Sequence, residues 1–191
     1  VLPQGTPKFE IVEATIEDIQ KAITTKQITA TDIVHMYLER IKTYNGVCVN
    51  QPEGILGPVS TIPNAGQINA LMTLNLRPEH REEWGFDARK ARSMTDREDN
   101  DPEMPDALEV AAALDEEFAR KGKLVGPLHG VVFGIKDQYD TFDMRTTLGM
   151  DAFYENDRPP DDAKVIKRLR DAGAIILAKA NLGEGGSQRS R

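Results

Sequence analysis

Lys136 closes an apolar run, GPLHGVVFGIKD at 126–137, and a lysine in that position suits base chemistry. An ammonium buried at a strand end loses hydration, its pKa falls, and the neutral amine becomes able to accept a proton. On spacing alone, a solvated or ion-paired strand end is the commoner meaning of Lys136-Asp137, because one lysine is not a specific signal. The other reactive side chains are weaker candidates. Ser187 and Ser190 stand in SQRSR, which lacks the glycine pairs that let a backbone approach an oxyanion, and they read as loop serines. His129 in GPLHG reads as a structural turn contact, while His35 and His80 are isolated and no HExxH-like spacing pairs them. The single cysteine, Cys48, has no internal disulfide partner and cannot build a cysteine-rich metal site. Gly126, Gly130 and Gly134 recur every four residues but match neither a phosphate loop nor a dinucleotide fingerprint. No metal site and no cofactor are expected.

The elements that must position Lys136 are written in the hydrophobic periodicity. Ile16, Ile19 and Ile23 fall at helical spacing between Thr15, a natural N-cap, and Lys26. A second helix, capped by Thr29 or Thr31, carries Val34, Tyr37, Leu38 and Ile41 on one stripe and ends near Asn45-Gly46. Residues 46–66 hold glycine and proline at short intervals and read as a long ordered loop. INALMTLN at 68–75 reads as a short strand, and 77–105, with alternating acids, bases and prolines around Trp84, as a surface insertion. Asp106 with Glu109 resembles a capping box for a helix whose apolar face is Ala107, Ala111, Leu114 and Phe118, ending at Gly122.

Next comes the strand that ends in Lys136, and then a helix begun at Pro159-Pro160-Asp161-Asp162 and closed by Gly173 in a left-handed turn. AIILAK at 174–179 is a second buried strand. Strand, crossover helix and strand make a βαβ unit, hence a parallel strand pair covered by helices, and ligands gather at the carboxyl ends of such strands. Lys136 lies at such an end.

Composition narrows the function classes. At 191 residues, 39% hydrophobic and 29% charged, the chain is long enough for one domain with a core. The net charge of −7 offers no broad positive field for nucleic acid or anionic lipid. The apolar runs VVFGI and AIILA are far shorter than the roughly 20 residues of a membrane span, so no segment is expected to cross a bilayer. The start at Val1 fits a removed leader, a trimmed chain or a processed precursor; export to a periplasmic or secreted location and residence in the cytoplasm both stay open.

GPLHGVVFGIKD resembles the catalytic-lysine segment of the amidase-signature family, and TTLGM and DDAKVIKRLRDAGAIILAKANLGE follow it in that family's order. The resemblance is strong over 106–184 and looser over 9–76. It implies an α/β fold with a mixed, largely parallel sheet covered by helices, of which residues 1–191 are the N-terminal portion of a single domain, with loop insertions at 46–66 and 77–105. It also implies amide hydrolysis by a serine, cis-serine, lysine triad through an acyl-enzyme. There a neutral lysine takes a proton from a bridging serine, which in turn activates the nucleophilic serine. Carried onto this sequence, Lys136 is the base, and the two serines belong to a Ser/Gly-rich segment further downstream than Ser187 and Ser190.

Gly185-Gly186 after NLGE and Gln138 after Lys-Asp depart from the family pattern and leave the choice of amide open. The implied partners are a small amide substrate and the C-terminal portion of the same enzyme, which becomes a separate chain if a precursor is nicked at the basic Ser190-Arg191 end; a homo-oligomer is also compatible. Two other functions compete: a component of an ammonia-transferring amidotransferase complex, and a non-catalytic binding module with the same fold.

Overall fold

The computed structural model describes residues 9–46, 49–50, 58, 60–63, 67–150 and 158–182. Two helices come first, α1 (Ile16–Thr24) and α2 (Ala30–Tyr44). Each opens on a capping box. The Thr15 hydroxyl accepts the Asp18 N–H while the Asp18 carboxylate accepts the Thr15 N–H, and Thr29 and Asp32 repeat the exchange. These bonds satisfy donors that a helix start leaves without partners. Thr29, not Thr31, is therefore the cap of α2. Thr31 turns to α4 (Ala107–Lys121), where the Asp115 carboxylate accepts its hydroxyl and the N–H groups of Ala30 and Thr31. On α1 the buried stripe is Ile19, Ala22 and Ile23; Ile16, expected to share it, is 45% exposed.

β1 (Val49–Asn50) and β2 (Ser60–Thr61) form a small antiparallel ribbon inside the expected 46–66 loop, much of which lies outside the described residues. β3 (Leu71–Leu74) falls within the expected strand. The segment after it holds only α3 (Pro78–Glu83) and a 3-10 turn at Ala88–Lys90 before α4. The stretch 77–105, expected as a surface insertion, is mostly exposed or half-buried, but it sends Arg77, Arg81, Arg92, Ser93 and Asp99 into the interior. α4 opens on the Asp106 and Glu109 capping box and closes on Gly122 in the left-handed region.

β4 (Val132–Lys136), α5 (Lys164–Asp171) and β5 (Ile175–Ala180) complete the chain of elements. α5 starts later than the Pro159–Asp162 signal, at Lys164, and its N-cap Ala163 supplies no side-chain bond. The sheet order is β3-β5-β4, with β4 parallel and β3 antiparallel to the central β5. The sheet is thus mixed, as the resemblance implied. Helices α2 and α4 pack one core against it through Val34, Leu38, Ala111, Ile175 and Leu177. Ile166 of α5 packs another with Ile135, Met144 and Ile176. Because strand side chains alternate between faces, Ile175 and Ile176 feed opposite cores, and β5 is buried from Ile175 through Lys179.

The βαβ connection is tight. Gly173 has φ +92°, and a Cβ there would come within 2.9 Å of His129 Cα; a Cβ on Gly126 would come within 2.5 Å of the Ala172 oxygen. The Leu128 N–H donates to Ala172 and the Gly130 N–H to Gly173, so GPLHG lies along the end of α5 and delivers β4 beside β5.

Candidate active site

Lys136 is the last residue of β4, at the carboxyl end of the parallel pair. Its side chain is exposed, and its ammonium donates to the backbone oxygen of Asn181 at 2.6 Å. Burial at this strand end, expected from the apolar run, is not what the described residues provide. The buried lysine is a different one. Lys179 on β5 has no exposed surface, and burial brings its pKa down to about 8 against the opposing pull of Asp137, Asp143, Asp140 and Asp162.

Asn181 is itself fixed, its N–H donating to the Ala70 oxygen at 2.7 Å and its amide to the Asn69 oxygen at 3.0 Å. The acceptor of the Lys136 ammonium is thus neutral and anchored beside β3. Among the described residues no carboxylate ion-pairs with Lys136.

Asp137, next in sequence, turns the other way and is buried. Its carboxylate accepts the N–H and hydroxyl of Thr147 and the N–H of Gly149, and its carbonyl accepts the Leu148 N–H at 3.0 Å. The TTLG segment is therefore bound to the strand end that carries Lys136. Leu148 and Gly149 both take positive φ there, 54° and 68°, which folds the segment's backbone back toward Asp137.

The weaker candidates stand elsewhere. His129 is buried; its Nδ1 accepts the Val125 N–H at 3.2 Å, the turn contact expected of it, and burial lowers its pKa against the pull of Asp115. His35 stacks at a tilt on Trp84, with centroids 5.3 Å apart, and His80 bonds Asp106 at 2.6 Å. No group of three histidine, cysteine, aspartate or glutamate side chains that could hold a metal occurs among the described residues. A cleft of about 380 Å³ lined by Arg77, Glu79, Glu98, Asp99 and Glu109 shares no residue with the Lys136 end. Cys48, Gly185, Gly186, Ser187 and Ser190 lie outside the described residues. Sequence reasoning missed Lys179. The signal that could have found it is its place on a strand apolar enough to be buried on both faces.

The family described as Amidase matches residues 101–190 of this chain. The chain is 32% identical over 176 residues to a glutamyl-tRNA(Gln) amidotransferase polypeptide of Alkaliphilus metalliredigens, covering 92% of this chain and 26% of that protein. It is 44% identical over 78 residues to Amidase 2 of Gibberella moniliformis, covering 40% and 15%. Among solved structures it is similar to the native peptide amidase from Stenotrophomonas maltophilia, with a TM-score of 0.59 and 29% identity over 90% of this chain and 25% of that one. The chain therefore spans about a quarter, or less, of the length of these relatives. The GIKD strand end, the mixed sheet and the matched sequence coincide over one stretch, and the chain belongs to the amidase-signature family.

Proposed function

We propose that this chain supplies Lys136 as the general base of a Ser/cis-Ser/Lys triad in an amide hydrolase, the two serines coming from a further part of the enzyme or from a second chain. The observation that carries the reading is the placing of Lys136. Its ammonium is exposed at the carboxyl end of a parallel strand pair, where ligands gather in such sheets, and its Nζ is directed by a hydrogen bond to the anchored carbonyl of Asn181. In the neutral form Nζ takes the proton of the bridging serine, which takes that of the nucleophilic serine. The nucleophile's oxygen attacks the amide carbon, the carbon–nitrogen bond breaks as the leaving nitrogen is protonated, and water hydrolyses the resulting ester. The substrate is a small amide, in keeping with the relatives named as amidases.

The test uses the complete enzyme with a serine-directed fluorophosphonate. Wild type is expected to label at one serine and to hydrolyse a simple amide, and Lys136→Ala is expected to lose both by a factor of about 10³ or more, the scale of removing a general base together with its nucleophile's activation. Equal labelling of the two proteins would overturn the reading. A second reading, ammonia transfer onto an aminoacylated RNA, is favoured by the likeness to the amidotransferase. ATP-dependent amidation that requires a partner protein would select it over hydrolysis.

A further inference from the structure

Lys179 stands behind the strand that carries Lys136. It pairs with Ile135 across the parallel strands, so its side chain leaves the sheet on the face opposite to that of Lys136, the next residue along β4. Its ammonium donates to the Tyr139 oxygen at 2.8 Å and to the Thr146 hydroxyl at 2.7 Å, and lies 4.0 Å from Asp137 Oδ1. All three groups belong to the segment that leaves β4. An ammonium withdrawn from water is costly, and an apolar side chain of similar length would fill the space at lower cost. Stability alone therefore gives a weak reason for a lysine here.

The bonds give a better one. Lys179 joins the start of the segment, at Asp137 and Tyr139, to its end at Thr146, and Asp137 closes the same loop through Thr147 and Gly149. The Tyr139 N–H in turn donates to the Lys136 carbonyl at 3.0 Å. A run of direct bonds thus leads from Lys179 Nζ through Tyr139 to the backbone of Lys136. The Asp137 N–H also donates to the carbonyl of Ala180, next to Lys179 in β5, at 3.0 Å.

We propose that Lys179 is a positioning residue for Lys136: by clamping both ends of the segment 137–149 beneath the sheet, it fixes the carboxyl end of β4 and with it the direction of the Lys136 ammonium. The inference rests on the reading of Lys136 as the general base. Lys179 touches no reacting atom. Its removal therefore slows turnover through misplacement of the base, and leaves substrate affinity nearly as it was.

The test compares wild type, Lys136→Ala, Lys179→Met and Thr146→Val in the complete enzyme, with kcat and KM for one simple amide expressed per folded molecule. Lys179→Met is expected to lower kcat tenfold to a hundredfold with KM within about twofold, and Thr146→Val, which removes one of the three partners, to lower kcat by a smaller factor in the same pattern. A residue that only supports the fold would lower the yield or the melting temperature and leave kcat per folded molecule unchanged; that outcome overturns the proposal. Should Lys179→Met fail to fold, Thr146→Val decides by the same criterion. If Lys136→Ala is inactive while the other two variants keep wild-type kcat, the positioning role falls and the reading of Lys136 stands. If Lys136→Ala is as active as wild type, both fall.

Discussion

Arg92 has no exposed surface, and its guanidinium is met on every side. Nε and one terminal nitrogen donate to the two oxygens of Asp99, and the other terminal nitrogen donates to Asn75 Oδ1 and the Met104 carbonyl. Removing one member of a buried ion pair leaves the other desolvated and costs about 3–5 kcal/mol. Arg158 also binds Asp99, at 2.8 Å, and shares the load. Arg92→Met is therefore expected to destabilise by the lower figure, about 3 kcal/mol, read as a fall in the urea midpoint with an unchanged slope. Nothing local in the sequence announces this. An alternation of acids and bases looks like a solvated segment, and what buries Arg92 is the convergence of Asp99, itself tied to the distant Arg158, with Asn75 after β3. The two lysines make the same point. Sequence placed burial on Lys136 because its strand is apolar, but β5 is the central strand and β4 has one described neighbour, so the covered lysine is Lys179. Strand order is a property of pairing, and pairing is not local.

At the scale of elements, local chemistry was legible because caps and turns act within a few residues. The cap expected at Thr15 and the box expected at Asp106 form, Thr29 is the one of the two candidate threonines that caps α2, and Gly173 takes the positive φ expected of it, as does Gly122. Asp106 does more than cap α4. Beyond the N–H groups of Leu108 and Glu109, its carboxylate accepts the Arg77 N–H at 2.8 Å and meets the His80 ring at 2.6 Å. Asp106→Ala is expected to cost more than an ordinary cap, about 2–3 kcal/mol, because buried donors lose their acceptor.

The same contact carries a pH dependence. Partial burial opposes charge on His80, but the hydrogen bond and charge of Asp106, with Glu79 and Glu109, outweigh it and raise the pKa above the usual 6.5. A raised folded pKa gives stability that is full below the unfolded value and is lost as pH rises through the folded one. The stability gap between wild type and His80→Gln should be wide near pH 5 and narrow near pH 8 in thermal melts; a gap independent of pH would contradict the assignment. The βαβ connection supplies another outcome. Gly173→Ala puts a Cβ 2.9 Å from His129 Cα at φ +92°, so the variant should lose more than the roughly 1 kcal/mol of a left-handed non-glycine residue, and it should lose it without touching Lys136.

The whole molecule sets what the site can do. The triad reading needs two serines close to Lys136, and the chain has four serines, Ser60, Ser93, Ser187 and Ser190. Ser60 lies in β2 of the separate ribbon. Ser93 is buried, and its hydroxyl accepts the N–H groups of Thr95 and Asp96 in a turn. Neither belongs to the Lys136 strand end, and Ser187 and Ser190 lie outside the described residues. The triad reading thus puts the base and the nucleophile on different parts of the enzyme, and this chain spans about a quarter of the length of its relatives.

A polypeptide of these 191 residues on its own is expected to hydrolyse no simple amide and to take no fluorophosphonate. Added to a polypeptide carrying a Gly-Gly-Ser-Ser-Gly-Gly-like segment, it should restore both, with labelling on the second polypeptide and none on the first. Association has a physical reason: among the described residues β3 and β4 each have one neighbour, and an unpaired strand edge is a template for further pairing. Lys136→Ala in the first polypeptide should then abolish the restored activity while leaving the two polypeptides bound to each other, since the edges do not depend on that side chain. Labelling of this chain alone, at any of its serines, would move the nucleophile into it and dismiss the division of the triad.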